Sequence, residues 1–303
     1  MNRLFKTITF LTVILVFGVS DIVAQNFAAP FLLRSTSVEG DAMGRAYTAL
    51  ATDASATYWN PAGLSGVSTY SVTGLVSADL AFDREFNAFS GAYTVEDIGT
   101  FGFSFTQAGV DDIQQFSAAN EFVGNFDTNS IAVGASYARE VFEGFSVGTT
   151  ARFINQDLEV LTDKGFHFDV GTRYQKNMFS FGAVLQNIAG EIGDDDLPLV
   201  FRTGFAIQDF KGFTASVDFE LEGLDSEDDN TESRANLGLG YDINVIENFT
   251  IGPRIGLANE DLAAGAKLGF VTDAIGFDVD YAYVNEPNIL GESHRIGVTV
   301  FGF

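Results

Sequence analysis

Most of this chain repeats one pattern, about ten residues in which apolar side chains alternate with small or polar ones, followed by a turn. In the segment 213–221, apolar residues occupy every odd position, while Thr214, Ser216, Asp218 and Glu220 occupy the even ones. Because successive side chains of a strand point to opposite faces, the pattern predicts strands with one apolar and one polar face. No apolar run of about 18 residues follows the N-terminal segment, so helical membrane spans are not predicted there.

Two architectures fit this alternation. In a soluble sandwich the apolar face forms the core and the polar face meets water. In a membrane barrel the apolar face meets lipid and the polar face lines the lumen. The chain ends on a short, aromatic-rich alternating segment that runs from His294 to Phe303. This ending, together with the N-terminal leader described below, favours the barrel.

The lengths of the connections support the same interpretation. The pattern predicts about fourteen antiparallel strands, an even number as single-chain bacterial barrels require. Long connections such as Gly109–Asp127 alternate with tight ones such as Lys176–Asn177, and the one around Ala258–Glu260 is the exception. Outer-membrane barrels have long outer loops and short periplasmic turns, whereas a sandwich has no reason for this alternation. The alternation predicts that both ends of the barrel segment lie in the periplasm.

The N-terminus has the layout of a secretory signal peptide. Arg3 and Lys6 precede an apolar stretch from Ile8 to Val19, and small residues follow near Ala24. This order is typical of a cleaved leader, although a membrane anchor is the alternative. The sequence therefore predicts three parts: a signal peptide at 1–24, a plug or hatch segment at 25–67 and an outer-membrane β-barrel at 68–303.

The charge and the cysteine count exclude several classes of function. The formal net charge of −25 argues against nucleic acid as a partner, because phosphates require basic patches. The absence of cysteine excludes a disulfide scaffold and a thiolate metal site. The acidic runs at 194–196 and 225–232 are interpreted as solvated loops. Calcium binding is the alternative, but neither run has the glycine and closing glutamate of an EF-hand loop.

The sequence predicts no enzyme and no catalytic, metal or cofactor site. It lacks a Gly-x-Ser-x-Gly elbow, a His-Glu-x-x-His motif and a phosphate loop. The two histidines, His167 and His294, are predicted to be polar residues facing the lumen. A role as general base is the alternative for each of them.

The segment before the first strand differs from the rest of the chain. Ala42, Ala46, Ala49 and Leu50 fit one face of a helix, and Asn60-Pro61 predicts a turn after it. A thin helix-turn unit joined to the first strand is interpreted as a plug inside the barrel. The alternative is a periplasmic tail packed at the rim.

Charged residues are predicted to form a network inside the lumen, where charges must be paired or hydrated. A charged path for ions is the alternative. Phe89 and Tyr93 are predicted on the inner face of the second strand, packed on the plug, and the lining of a small hydrophobic pocket is the alternative. The charged residues of the predicted inner face are Arg152, Arg173, Arg202, Arg254, Arg295, Asp169, Asp218, Glu220, Asp242, Asp278 and Asp280.

The stretch 40–64 resembles the N-terminal signature of the PorV/PorQ proteins, which are outer-membrane relatives of the FadL-type fatty-acid channels. The later stretches Phe168–Gly171, Gln186–Gly190 and Leu197–Gly204 are similar in style to the same family. The resemblance covers nearly the whole chain after the leader, and it implies a fourteen-stranded barrel with an N-terminal hatch in the lumen. The residues that carry the signature are Gly40, Gly44, Arg45, Asp53, Trp59, Asn60, Pro61 and Gly63.

The resemblance also implies a function without catalysis. PorV-like members act in type IX protein secretion beside a translocon and a sortase-like enzyme, and PorQ-like members anchor a periplasmic or surface partner. On this basis the expected partners are outer-membrane lipids and such proteins, with the connection carrying Phe116 and Phe122 as the expected contact. The alternative is a FadL-like passive channel for fatty acids or other hydrophobic small molecules. A barrel hydrolase is a third, weaker alternative.

Overall fold

The computed structural model describes residues 28–79, 84–158, 161–225, 231–286 and 291–303, so the predicted leader at 1–24 lies outside the described residues. Strands dominate this part of the chain, and four short helical turns precede them. The strands are β1 (Tyr70–Asp79), β2 (Arg84–Val95), β3 (Gly99–Phe116), β4 (Phe122–Phe142), β5 (Phe145–Asp157), β6 (Thr162–Lys176), β7 (Phe179–Ile192), β8 (Asp195–Asp196), β9 (Val200–Phe210), β10 (Phe213–Glu222), β11 (Glu232–Tyr241), β12 (Ile243–Ile246), β13 (Phe249–Ala258), β14 (Asp261–Val271), β15 (Ile275–Glu286) and β16 (Gly291–Gly302).

The sheet closes on itself as an antiparallel barrel. Strand β1 pairs with both β2 and β16, and β11 pairs with both β10 and β13, so the ladder runs around the whole ring. The two-residue β8 pairs only with β7, and β12 continues β11 along β13. The remaining fourteen strands form the wall, which confirms the predicted fourteen-stranded barrel.

Short turns gather at one rim and longer connections at the other. The first and last strands meet at the short-turn rim, where Tyr70 pairs with Gly302. At the opposite rim, the structure corrects the prediction that Gly109–Asp127 is a loop. Strands β3 and β4 continue through most of it and leave only 117–121 as a turn. The sequence lacked a clear apolar alternation there because this hairpin extends beyond the buried wall.

The outward side of the wall is apolar. Phe153, Phe181, Phe219, Leu239 and Ile255 are each between 46% and 49% exposed, and their neighbours along each strand point inward and are mostly buried. In water such a surface would drive aggregation, whereas in a bilayer it meets hydrocarbon. Among the described residues, no helix has both the length and the apolar character to cross a membrane.

Residues 29–67 lie inside the barrel and form its plug. Two short helices, Val38–Ala42 and Ala56–Trp59, and two 3-10 turns, Pro30–Leu33 and Pro61–Gly66, are linked by tight turns. The single helical face predicted from Ala42 to Leu50 is wrong. The helix ends at Ala42, because Gly44 and Arg45 adopt left-handed backbone angles of 61° and 65°.

Candidate functional site: the plugged lumen

A belt of inward-facing glycines lets the plug touch the wall. Atoms of the plug occupy the space where a Cβ would stand; at Gly182, for example, a Cβ would lie 2.6 Å from the carbonyl oxygen of Thr48. The plug meets these glycines on β16, β14, β13, β11, β9, β7, β6, β5 and β3, and so makes almost a full circuit of the lumen. This glycine belt consists of Gly102, Gly148, Gly171, Gly182, Gly204, Gly238, Gly256, Gly265 and Gly297.

Asp218 holds the plug backbone on one side of the circuit. Its Oδ2 accepts hydrogen bonds from the backbone N–H groups of Tyr47 at 3.0 Å and Thr48 at 2.8 Å. Asp218 is buried, and these two donors satisfy its Oδ2. Strand β10 thereby fixes the middle of the plug.

Carbonyl oxygens of the plug receive donors from the next strands. The oxygen of Ala49 accepts from Arg173 Nε at 3.1 Å and from Ser180 Oγ at 2.6 Å. The oxygen of Thr57 accepts from Arg152 Nη2 at 3.0 Å. These side chains satisfy carbonyls of a turn at Ala49 and of the short helix at Thr57.

Asn60 and Trp59 anchor the signature motif. Asn60 Nδ2 donates to the oxygens of Thr48 at 3.2 Å and Thr172 at 3.0 Å, and so joins two parts of the plug to β6. Trp59 is fully buried, and the guanidinium groups of Arg45 and Arg202 lie 5.9 Å and 5.7 Å from its ring centroid. Cation–π attraction therefore adds to the packing of this ring.

Arg202 also connects Trp59 to a charged row on β9, β10 and β11. Its Nε donates to Glu220 Oε2 at 2.6 Å, and its Nη1 donates to Gln186 Oε1 at 2.5 Å. Arg234 contacts Glu220 at 3.0 Å and also pairs with Glu222 and Glu232. Sequence reasoning missed Gln186 and Arg234, although Arg234 shares the alternation of its strand.

A second charged group surrounds the first plug helix. Glu39 Oε1 lies 3.1 Å from Arg254 Nη2 and 3.7 Å from Lys267 Nζ, and Arg254 also contacts Asp242 at 2.6 Å. Tyr47 Oη donates to Glu39 Oε2 at 3.1 Å. Burial raises the pKa of Glu39, but Lys267 and Arg254 lower it by more, so its pKa lies below the ordinary value of 4.5. Neither Glu39 nor Lys267 was singled out from the sequence.

Two further ion pairs complete the network. Arg295 Nη1 lies 2.7 Å from Asp41 Oδ2, so β16 holds the first helix as well. Asp169 lies 3.3 Å from both Arg152 and His167, and its Oδ1 accepts from the backbone N–H of Asn187 at 3.0 Å. Most predicted inner-face charges are therefore brought together around the plug, with partners that the sequence did not identify.

Three other predicted acids lie within the plug or on β15. Asp53 accepts hydrogen bonds from Ser55 within the plug, and burial raises its pKa. Asp278 and Asp280 face the lumen from β15. Lys267 pairs across the ladder with Asp280, so the acids of β15 lie beside the Glu39 group.

The signature glycines lie at close approaches. Gly40 packs directly on the indole of Trp59, Gly44 approaches the backbone of Leu257, and Gly63 approaches the oxygen of Ala51. Pro61 begins the second 3-10 turn and meets Gly148. Arg45 Nη2 also donates to the oxygen of Leu33 at 3.0 Å.

Three aromatic side chains that were predicted to face the lumen lie on the outer surface instead. Phe89 and Tyr93 are 46% and 57% exposed on the outer surface, and Ala88, Ser90 and Ala92 face the lumen instead. His294 also lies outside, where its Nδ1 is 2.7 Å from the hydroxyl of the exposed Tyr281. Only His167 faces inward, as predicted, and it is fully buried.

The half of the lumen nearer the long connections holds two apolar clusters. In the first, Phe31 of the plug packs with wall residues that include Ile154, Ile192 and Leu197. In the second, Val38 packs with Leu75, Phe86, Ala88 and their neighbours. Ala108 borders both clusters, so they form one continuous packed apolar region inside the barrel, which we call the apolar path.

An apolar depression lies on the other side of the same wall. It has a volume of about 560 Å³, and its lining includes Gly74, where an added Cβ would meet no other atom within 4 Å. Leu75 and Ala88 belong both to the inner cluster and to the lining of this Gly74 depression. Only one layer of strand therefore separates the apolar path from the membrane. The outward lining residues are Val76, Phe89, Phe105, Ile296 and Val298.

The wall has no gap at this position. Strands β1 and β2 pair without interruption from Tyr70↔Tyr93 to Asp79↔Arg84. Next to Phe31, a space of only about 10 Å³ lies beside Tyr58 and Arg152, which is too small for more than one water. Within the described residues, no group of three or more acids and histidines is placed to hold a metal ion.

Solved structures of transporter barrels have the same architecture. The toluene transporter TbuX of Ralstonia pickettii aligns with a TM-score of 0.63 and 13% identity over 90% of this chain and 99% of its own. The toluene transporter TodX of Pseudomonas putida aligns with a TM-score of 0.60 and 11% identity over 87% and 96%. A FadL homologue of Pseudomonas aeruginosa gives 0.58 and 11% over 88% and 98%. This chain has their fold.

No protein-family model matches the chain, and no curated protein matches it in sequence. The likeness to the FadL-type barrels is therefore a likeness of fold, and the closer resemblance to PorV/PorQ proteins stays a prediction.

Proposed function

We propose that this protein is a passive outer-membrane channel for hydrophobic small molecules. The observation that carries the proposal is the apolar path through Ala108, which ends behind the Gly74 depression. Its fold is that of barrels described as toluene transporters and as a FadL homologue. A hydrophobic solute would gain free energy at each apolar step, about 25 cal/mol for each Å² removed from water.

A solute that enters this region would displace the plug segment that carries Phe31. Phe31 is buried against Ile154, Ile192 and Leu197, which is the environment that a small aromatic solute prefers. Because β1 and β2 are fully paired, passage to the lipid would require these strands to part transiently beside Gly74.

Uptake by intact cells tests the proposal. Cells whose outer membrane carries the protein should accumulate radiolabelled toluene or a long-chain fatty acid faster than cells without it. Joining Val76→Cys to Asn87→Cys with a short thiol crosslinker should stop the gain, and reduction of a cleavable linker should restore it. These positions pair across β1 and β2, and the chain has no other cysteine.

The matched control joins Ala183→Cys to Thr203→Cys, which pair across β7 and β9 away from the depression. This crosslink should leave uptake unchanged. Uptake that is equal with and without the protein would contradict the proposal, and equal inhibition by both crosslinks would contradict the exit at Gly74.

A second function, in type IX secretion or surface attachment of secreted proteins, is favoured by two observations. The lumen is filled by a plug fixed to most strands, and Phe116 and Phe122 are exposed beyond the barrel. A partner protein needs no pore. Deletion of the gene should then leave C-terminally tagged cargo in the periplasm, and normal surface display of that cargo would exclude this second function.

A further inference from the structure

The hairpin of β3 and β4 projects past its neighbours. Pairing of β3 with β2 ends at Val110, and pairing of β4 with β5 ends at Asn129. Beyond these residues, β3 and β4 pair with each other up to Phe116↔Phe122. Among the described residues, no strand pairs with the other side of β4 from Phe122 to Thr128. We call this stretch the β4 edge, and such an edge is a template for another strand.

The two faces of the β4 edge differ in chemistry. A one-residue shift in the pairing separates Phe122 from Phe126, because Phe122 pairs with Phe116 and Phe126 pairs with Ile113. Ile113 and Phe116 are three residues apart on β3 and point to opposite faces. Phe126 therefore lies on one face, and Phe122 lies on the other face together with Asp127. Phe122 packs edge-on against Phe116 with a centroid distance of 6.0 Å and is 60% exposed. A strand added here would meet an apolar face at Phe126 and an acidic face at Asp127.

Charge determines the kind of partner. Residues 111–128 contain Asp111, Asp112, Glu121 and Asp127, and no lysine or arginine. Asp157 adds a further acid where β5 ends beside this edge. A second copy of this chain would bring the same acids into contact, and like charges across a strand pair are destabilising. The complementary partner therefore carries lysine or arginine.

We propose that the β4 edge binds an extended segment of another protein by strand addition. In that segment apolar residues alternate with lysine or arginine. The apolar residues lie on the face of Phe126, and the basic residues lie on the face of Asp127. Main-chain hydrogen bonds supply affinity in this mode, and the alternating side chains supply specificity. The proposal is independent of what the barrel transports.

Binding of labelled peptides to the full-length protein in detergent micelles tests the proposal. An octapeptide of alternating valine and lysine should bind at least about tenfold more tightly than one of alternating valine and glutamate, a difference of about 1.4 kcal/mol. It should also bind more tightly than a peptide with four valines followed by four lysines, which has the same charge. Hydrogen exchange should slow at the amides of 122–128.

Two substitutions separate the two faces. Phe126→Ala and Asp127→Asn should each weaken binding of the alternating peptide by at least about fivefold, since each removes one face's contact. Asparagine keeps the acceptor that Asp127 offers to the backbone N–H of Asp112, so the hairpin is retained. The control Phe153→Ala removes a ring from the outer surface of the barrel wall and should change nothing.

Equal binding of the block peptide would overturn the proposal, because it would show attraction to acidic surface in general. The same conclusion follows if neither substitution weakens binding, or if exchange slows in strands other than β4.

Discussion

Single glycines determine whether the plug fits. At Gly256, a Cβ would collide with the backbone of Gly44. We expect Gly256→Ala to lower the free energy of unfolding by about 1–3 kcal/mol, because neither backbone can move without shifting the plug. Urea unfolding in micelles measures this.

Gly91→Ala is the matched control, since a Cβ at Gly91 meets nothing within 4 Å. We expect an effect within about 0.5 kcal/mol there. Equal effects at the two positions would show that the plug does not press on the wall.

Glu39 makes the stability of the plug depend on pH. Its native pKa lies below the ordinary 4.5, so its interaction with Lys267 and Arg254 is fully present above that value. The contribution is lost as the pH falls through the lower native pKa. We expect Glu39→Gln to lower the free energy of unfolding by about 1–3 kcal/mol at neutral pH and by progressively less in acid.

The measurement is the difference in unfolding free energy between the parent and Glu39→Gln at several pH values. Glu121→Gln, which removes an exposed carboxylate of the hairpin, is the control and should have little effect at any pH. A difference for Glu39→Gln that grows in acid would contradict the assignment.

Residue facing could be predicted only where the register was clear. The alternation of charged residues placed Arg202, Asp218 and Glu220 inward, where the structure has them. Phe89 and Tyr93 were assigned to the wrong side because a strand has a period of two, and an error of one residue reverses every side chain. The small residues Ala88, Ser90 and Ala92 were the signal that identifies the lumen side.

At the scale of elements, the outer hairpin is independent of the wall. Beyond Val110 and Asn129, its strands pair only with each other within the described chain. We expect replacement of 112–127 by a short glycine-serine turn to change the free energy of unfolding by no more than about 1 kcal/mol, because no wall contact is lost. Urea unfolding of both proteins tests this, and a larger loss would show that the hairpin supports the barrel.

The helices of the plug could not be predicted correctly from local sequence, because tertiary contacts determine where they end. Alanine spacing from Ala42 to Leu50 predicted one helix, but the chain turns at Gly44 and Arg45. The turn brings the backbone of Met43 and Gly44 against Gly238 and Gly256, so tertiary contact overrides helix propensity. The ion pairs of Glu39 and Asp41 could not be predicted either, because their partners lie more than 200 residues away.

At the scale of the whole molecule, the filled lumen predicts a barrel that is closed to ions. The plug contacts most wall strands, and the space beside Phe31 holds only about 10 Å³. In planar bilayers we expect no steady conductance from the parent protein, because ions need a hydrated path.

Gly256→Leu, which pushes the plug from β13, should produce fluctuating current steps. Gly91→Leu, on the outer surface, should stay silent. Steady current through the parent would contradict the filled lumen.

The meeting of β1 and β16 bears on the order of assembly. The plug makes its circuit before the chain enters β1, and the ring closes only when Tyr70 pairs with Gly302 at the far end of the sequence. The wall must therefore be wrapped around a plug that is already present, since threading a charged loop into a finished cylinder would strip water from each ion in turn. A plug peptide supplied separately to a barrel that closed without one should fail to restore it.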